Sequence, residues 1–140
     1  MLDGELLVAN GDGFAFDALQ MRLHPAESRI HRLASETPAT LMAFDLLVSP
    51  GGRDICGEPM AARRAALQAF VAAAGDSSLQ LSPQTEDFGE AQAWLAEGGP
   101  SVDGVMAKRL EGAYAPGERA MVKVKRIRTC LLYTSPSPRD

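Results

Sequence analysis

Apolar and polar positions divide the chain into short segments of changing period. Residues 2–9 have their apolar centre at Leu6, Leu7 and Val8 and read as a strand. The strand stops at Asn10-Gly11-Asp12-Gly13, a turn whose glycines permit positive φ. A short amphipathic helix is expected over 16–23. A second is expected over 24–35, after Pro25, with Ile30, Leu33 and Ala34 along one side. Residues 40–48 are almost continuously apolar, as in a strand covered on both faces, and Ser49-Pro50-Gly51-Gly52 then turns the chain.

Pro59 opens the most regular helix, Met60–Ala74, which is Ala-rich and stopped by Gly75. Leu79–Leu81 reads as a short strand before Pro83, and Phe88–Glu97 as a helix closed by Gly98-Gly99. Two last strands, 102–110 and 120–127, flank a turn at Pro116-Gly117 and so predict an antiparallel pair. Irregular interleaving of strands and helices predicts an α+β fold rather than a regularly alternating parallel sheet. Residues 130–140 break the pattern, because Ser135-Pro136-Ser137-Pro138 continues neither strand nor helix. One back-translation of that tail resembles the transposase adapter of sequencing libraries. The expected division is therefore a native segment over 1–129 and a foreign tail over 130–140.

Composition narrows the class. A chain of 140 residues, 46% hydrophobic and 23% charged, fits one globular domain and excludes collagenous, coiled-coil and disulfide-scaffold proteins. No apolar run approaches the roughly 18 residues of a membrane span. Asp3 and Glu5 interrupt the first apolar stretch, which also lacks a basic start, so it is not a signal peptide. Cys56 and Cys130 build no framework, and a reducing cytoplasm is the expected compartment.

Charge is unevenly spread. Residues 1–107 hold six Lys/Arg against fifteen Asp/Glu, a balance of −9. Residues 108–128 hold seven against two, a balance of +5, and include all three lysines of the chain. A basic segment on an acidic body suggests a local anion site more than a coat for polyanions, although a solvated edge strand would look the same.

Four segments carry the candidate chemistry: Leu2-Asp-Gly-Glu-Leu6, Ala43-Phe-Asp-Leu-Leu47, Val102-Asp-Gly-Val-Met-Ala-Lys-Arg109 and Met121-Val-Lys-Val-Lys-Arg126. Each alone has a plain explanation. Asp-Gly is a common turn dipeptide, Phe44 suits a core, and Lys123 and Lys125 on one strand face would guard an edge. Together and in order they resemble motifs III, IIIa, IV and V of the ATP-dependent DNA ligases, within the lysine-adenylating nucleotidyltransferases. Leu19-Gln-Met-Arg-Leu23, Gly104-Val-Met-Ala-Lys-Arg109 and Pro116-Gly-Glu-Arg-Ala-Met-Val-Lys-Val-Lys125 are similar to phrases of the bacterial C- and D-type ligases linked to end joining.

The resemblance implies part of the two-antiparallel-sheet, ATP-grasp-like adenylation domain. It implies ATP with Mg²⁺ or Mn²⁺ as cofactors, and nicked or broken duplex DNA as substrate. It further implies possible end-joining partners, a monomer and no membrane. By position it assigns Lys123 and Lys125 to the α-phosphate and Glu5 to the ribose and a divalent cation. Asp103 falls at a metal-site acid, Phe44 at the aromatic that stacks on adenine, and Lys108 at a further nucleotide contact. Asp103 departs from the glutamate of many relatives, which favours a water-bridged metal contact over direct ligation.

The family nucleophile, a lysine two residues before Asp-Gly, has no counterpart here. The residues so placed are Met1, Asn10 and Ser101. The expectation is an internal segment of an adenylation domain, inactive by itself, with Met1 inside a longer frame and an OB-fold domain beyond Thr129. An RNA ligase or capping-type nucleotidyltransferase shares the motif order. A non-catalytic nucleic-acid-binding segment is the alternative of another class.

Overall fold

The strand segments read at 2–9 and 40–48 find each other as neighbours, and the rest of the fold is laid against that pair. The computed structural model describes residues 1–10, 13–14, 16–23, 26–98 and 102–125. The expected tail over 130–140, the end of the last predicted strand, His24, Pro25 and the inner residues of the first turn lie outside the described residues. Strand β1 (Leu2–Asn10) pairs antiparallel with β2 (Gly13–Phe14) and with β3 (Ala39–Leu46). The β1–β3 register shifts between Asp3, opposite Asp45, and Gly4, opposite Ala43, so Phe44 stands between two paired positions.

Helices α1 (Phe16–Gln20) and α2 (Glu27–Glu36) fall between these strands, both shorter at one end than the sequence suggests. The anticipated apolar side of α2 is left open, with Ile30 exposed and no residue of the helix buried. Arg22 reaches the C-terminal turn of α2, where Nη2 donates to Thr37 Oγ1 at 2.8 Å and to the Thr37 carbonyl.

Helix α3 (Met60–Ala74) ends at Gly75 in the left-handed conformation, as its sequence requires. Strand β4 (Leu79–Leu81) then returns parallel to β3, with Leu41 opposite Leu79 and Ala43 opposite Leu81. A parallel neighbour needs a long crossover, and α3 is that crossover. The four-stranded sheet, ordered β2-β1-β3-β4, is therefore mixed and not wholly antiparallel as the resemblance implied. Helix α4 (Phe88–Glu97) begins at Asp87, whose carboxylate accepts from Glu90 N at 2.8 Å. Strands β5 (Gly104–Ala107) and β6 (Val122–Lys125) form the expected antiparallel pair as a separate two-stranded sheet.

The core lies between β3 and α3. Ala43, Leu46, Ile55 and Leu67 are buried together, flanked by Leu2, Ala66, Val71, Leu79 and Leu81. Burial of each large aliphatic side chain is worth about 1.5–3 kcal/mol. Into this layer the chain places an ion pair. Arg63 of α3 meets Asp45 of β3 in a two-pronged contact, Nε to Oδ1 and Nη2 to Oδ2, both 2.9 Å, with side chains 3% and 4% exposed. Leu46 N donates to the same carboxylate at 2.9 Å, and Arg63 Nη1 donates to the carbonyls of Glu58 and Gly112. The charges are thus fully partnered, which buried charge demands.

Helix α3 also lacks a side-chain cap, since Pro59 occupies the capping position. Its first free N–H groups are met from elsewhere: Met60 N donates to Gly112 O and Ala61 N to Leu110 O, each at 2.9 Å. The segment after β5 therefore serves as the cap of α3.

Arg63→Met should strand the Asp45 carboxylate and cost about 3–5 kcal/mol in urea unfolding, a large share of a small domain's stability. Adding Asp45→Asn should recover much of that loss, because the neutral amide needs no counter-charge. A double variant no more stable than Arg63→Met would show that the arginine's packing, not the charge pairing, is what matters.

Candidate functional site

The two-stranded sheet gathers three of the residues singled out by sequence. In the β5–β6 register Gly104 faces Lys125 and Met106 faces Lys123, so both lysines project from one face. Asp103 stands just ahead of β5 on that side. Its Oδ2 lies 3.2 Å from Lys123 Nζ and 3.9 Å from Lys125 Nζ. Two ammonium groups against one carboxylate leave a local excess of positive charge. All three side chains are about half exposed, so each pairing is worth at most about 1 kcal/mol and exchanges readily for another anion. Lys108 follows directly after β5 and is half-buried.

Glu5 and Phe44 belong to the other sheet. Ala43 is buried in the core under α3, so Met42 beside it turns to the opposite face, and Phe44 stands at the register shift between Ala43 and Asp45. Glu5 pairs across the strands with Met42 and shares that face. Glu5 is exposed and Phe44 half-buried, which suits neither a fully packed core residue nor a free surface one.

Two of the three Asp-Gly steps, Asp3-Gly4 and Asp103-Gly104, have a backbone reason. A Cβ on Gly4 would stand 2.5 Å from Met42 O, and one on Gly104 2.5 Å from Val124 O. Each glycine lets a partner strand approach beside the acidic residue that precedes it.

Among the described residues, two short sheets, four helices and this pairing of acid and lysines coincide with a family assignment over nearly the whole chain. Residues 1–125 match the model of the ATP dependent DNA ligase domain. The chain belongs to that family. It is 45% identical over 133 residues to DNA ligase C of Mycobacterium tuberculosis, covering 92% of this chain and 37% of that protein. It is 46% identical over 130 residues to DNA ligase C2 of Mycolicibacterium smegmatis, covering 92% and 36%. DNA ligase C1 of the same organism is 42% identical over 135 residues, covering 91% and 37%. The chain spans just over a third of the length of these relatives.

Within this ligase domain the structure also uses residues to which sequence assigned no role. Tyr114 lies in the segment after β5, and its ring centroid is 5.9 Å from the Arg63 guanidinium. Its N–H donates to Cys56 O at 2.8 Å and its phenol to Asp3 Oδ2 at 3.2 Å. Asp45, Arg63, Tyr114 and Asp3 thus form one polar chain from α3 to β1. A charge at position 45, inside an otherwise apolar strand, was the available signal, since it must find a partner. The partner's identity was not readable.

Burial, and then the Asp3 carboxylate, push the Tyr114 phenol above its ordinary range. A raised tyrosine holds its proton more tightly when folded. Its contribution to stability is complete below the unfolded value of about 10 and is lost as pH rises through the folded value. Phenolate absorbance should show one tyrosine ionising late, a step absent from Tyr114→Phe. Asp3→Asn should bring that step back toward the ordinary range, and an unmoved step would mean the carboxylate is not felt there.

Proposed function

We propose that the full-length protein seals nicks or breaks in duplex DNA with ATP, and that this chain forms part of its ATP pocket. The observation that carries the reading is the cluster of Asp103, Lys123 and Lys125 in a chain of the ATP-dependent DNA ligase family. Lys123 and Lys125 neutralise charge at the α-phosphate, where positioning and electrostatics supply most of the catalysis. Lys108 adds a further contact to the nucleotide. Phe44 stacks on adenine and Glu5 holds the ribose. A lysine beyond this chain attacks the α-phosphorus, expelling pyrophosphate and leaving AMP on the amine. The 5′-phosphate of the nick takes the AMP, and the 3′-hydroxyl displaces it. A lysine must lose its proton to attack, and neighbouring cations favour that loss. End-joining proteins are the expected company of such an enzyme.

A divalent cation fits only in one mode. No group of three side chains able to hold a metal occurs among the described residues. Asp103 and Glu5 offer hard carboxylate oxygens from different sheets, which suits Mg²⁺ held mainly by water and substrate phosphates. When bound, the ion supplies charge neutralisation at those phosphates.

In the full-length protein, Lys123→Ala or Lys125→Ala should slow formation of the lysine adduct about 10²–10³-fold at saturating ATP, the scale of losing one preorganised electrostatic contact. Phe44→Ala should instead raise KM for ATP with a smaller effect on kcat, because stacking holds the base and not the reacting phosphate. Unchanged ATP affinity together with impaired folding would make Phe44 a packing residue.

The 140-residue chain by itself, incubated with labelled ATP and Mg²⁺, should take up no acid-labile covalent label. None of its lysines stands two residues before an Asp-Gly pair. A stoichiometric label would overturn this assignment of roles.

A further inference from the structure

The polar chain from α3 to β1 ends at a point of consequence for the site. Asp3 sits on β1 two residues before Glu5, at the step where the β1–β3 register shifts. Tyr114 sits between β5, which leads into Lys108, and β6, which carries Lys123 and Lys125. The segment around it is held firmly on the α3 side. Leu110 O and Gly112 O accept from the first turn of α3, Arg63 Nη1 donates to Gly112 O at 3.1 Å, and Tyr114 N donates to Cys56 O. The phenol carries this anchoring on to the strand of Glu5 through its 3.2 Å bond to Asp3.

We propose that Tyr114 is a positioning residue for nucleotidyl transfer: its hydroxyl sets the phosphate-binding hairpin at the correct distance from the sheet that receives base and ribose. The proposal rests on the ligase reading above. In that reading one nucleotide spans both sheets, adenine on Phe44 and α-phosphate on Lys123 and Lys125. The covalent frame of the nucleotide fixes the separation between these points. A misplacement of about 1 Å at a reacting centre can cost about 10²-fold in rate. A hydrogen bond from the β5–β6 connection to β1, two residues from Glu5, is therefore well placed to hold that alignment. Its loss should fall on the transfer step more than on nucleotide affinity.

Tyr114→Phe separates this role from folding, because it keeps the ring over Arg63 and the backbone bond to Cys56 while removing the hydroxyl. In the full-length protein, single-turnover formation of the lysine adduct should slow about tenfold at saturating ATP. KM for ATP should stay within about twofold, and Tm should fall by no more than a few degrees. Asp3→Ala should slow the reaction similarly, and the double variant should be no slower than the slower single one, as for two partners of one contact. Asp3→Asn, which retains an acceptor oxygen, should keep most of the rate. A Tyr114→Phe rate per folded molecule equal to wild type overturns the proposal, as does a double variant in which the two losses multiply. A wild-type protein that forms no adduct with ATP overturns the ligase reading and the proposal with it. A wild type that reacts normally while Tyr114→Phe keeps pace overturns the proposal alone.

Discussion

The Asp45–Arg63 pair is the constraint around which the molecule is arranged. A carboxylate and a guanidinium buried between a strand and a helix are costly to desolvate, and only complete partnering makes them tolerable. Here the partnering is supplied by Leu46 N, the carbonyls of Glu58 and Gly112, and the ring of Tyr114. Those partners come from separate stretches of the chain. Satisfying one ion pair therefore fixes β3, the start of α3 and the segment after β5 together. The Gly112 carbonyl that accepts from the arginine also accepts from Met60 N, and together with Leu110 O it caps a helix that follows a proline. Geometry at the hairpin and stability of the core are thus not separable properties.

Local chemistry made much of the fold legible. Met60–Ala74, Leu79–Leu81 and Phe88–Glu97 match the expected boundaries, because Pro59 opens the first helix and glycines follow the ends of both. The parallel direction of β4 was not legible, since three residues of apolar pattern carry no information on direction. Strand β5 is shorter than its alternation suggests, and β6 begins two residues late. Val122 is 63% exposed, and an apolar alternation that nothing covers gives little reason to extend a two-stranded ladder. The apolar side of α2 was read from spacing alone, and spacing does not state whether anything packs against it.

The candidate site divides in the same way. Period two along Lys123-Val124-Lys125 was enough to put both lysines on one face, and the structure adds Asp103 as their shared partner. Glu5 comes within two positions of Phe44 across the strands because the register pairs Glu5 with Met42. That pairing is a long-range fact no local pattern contains. Tyr114 belongs to none of the four motif segments and carries no local signal. Its use is a hydrogen bond to a residue 111 positions away, and sequence separation of that order hides a contact from any periodicity argument.

The chain holds two unlike kinds of ion pair, one buried and one exposed. Arg63 and Asp45 are buried, doubly bonded and surrounded by partners, so the arginine is committed to holding the fold and has no freedom to serve a substrate. Lys123 and Lys125 share one exposed carboxylate at 3.2 and 3.9 Å, through long side chains still open to water. Such contacts contribute little to folding. A phosphate with its own multiple oxygens competes with them at small cost. An acidic body with its lysines confined to 108–125 adds a directional pull, since an anion repelled elsewhere meets its attraction at this hairpin. Arg63, rigid and forked, sits where the geometry is permanent, whereas Lys123 and Lys125, flexible and single-pointed, meet their carboxylate in the open.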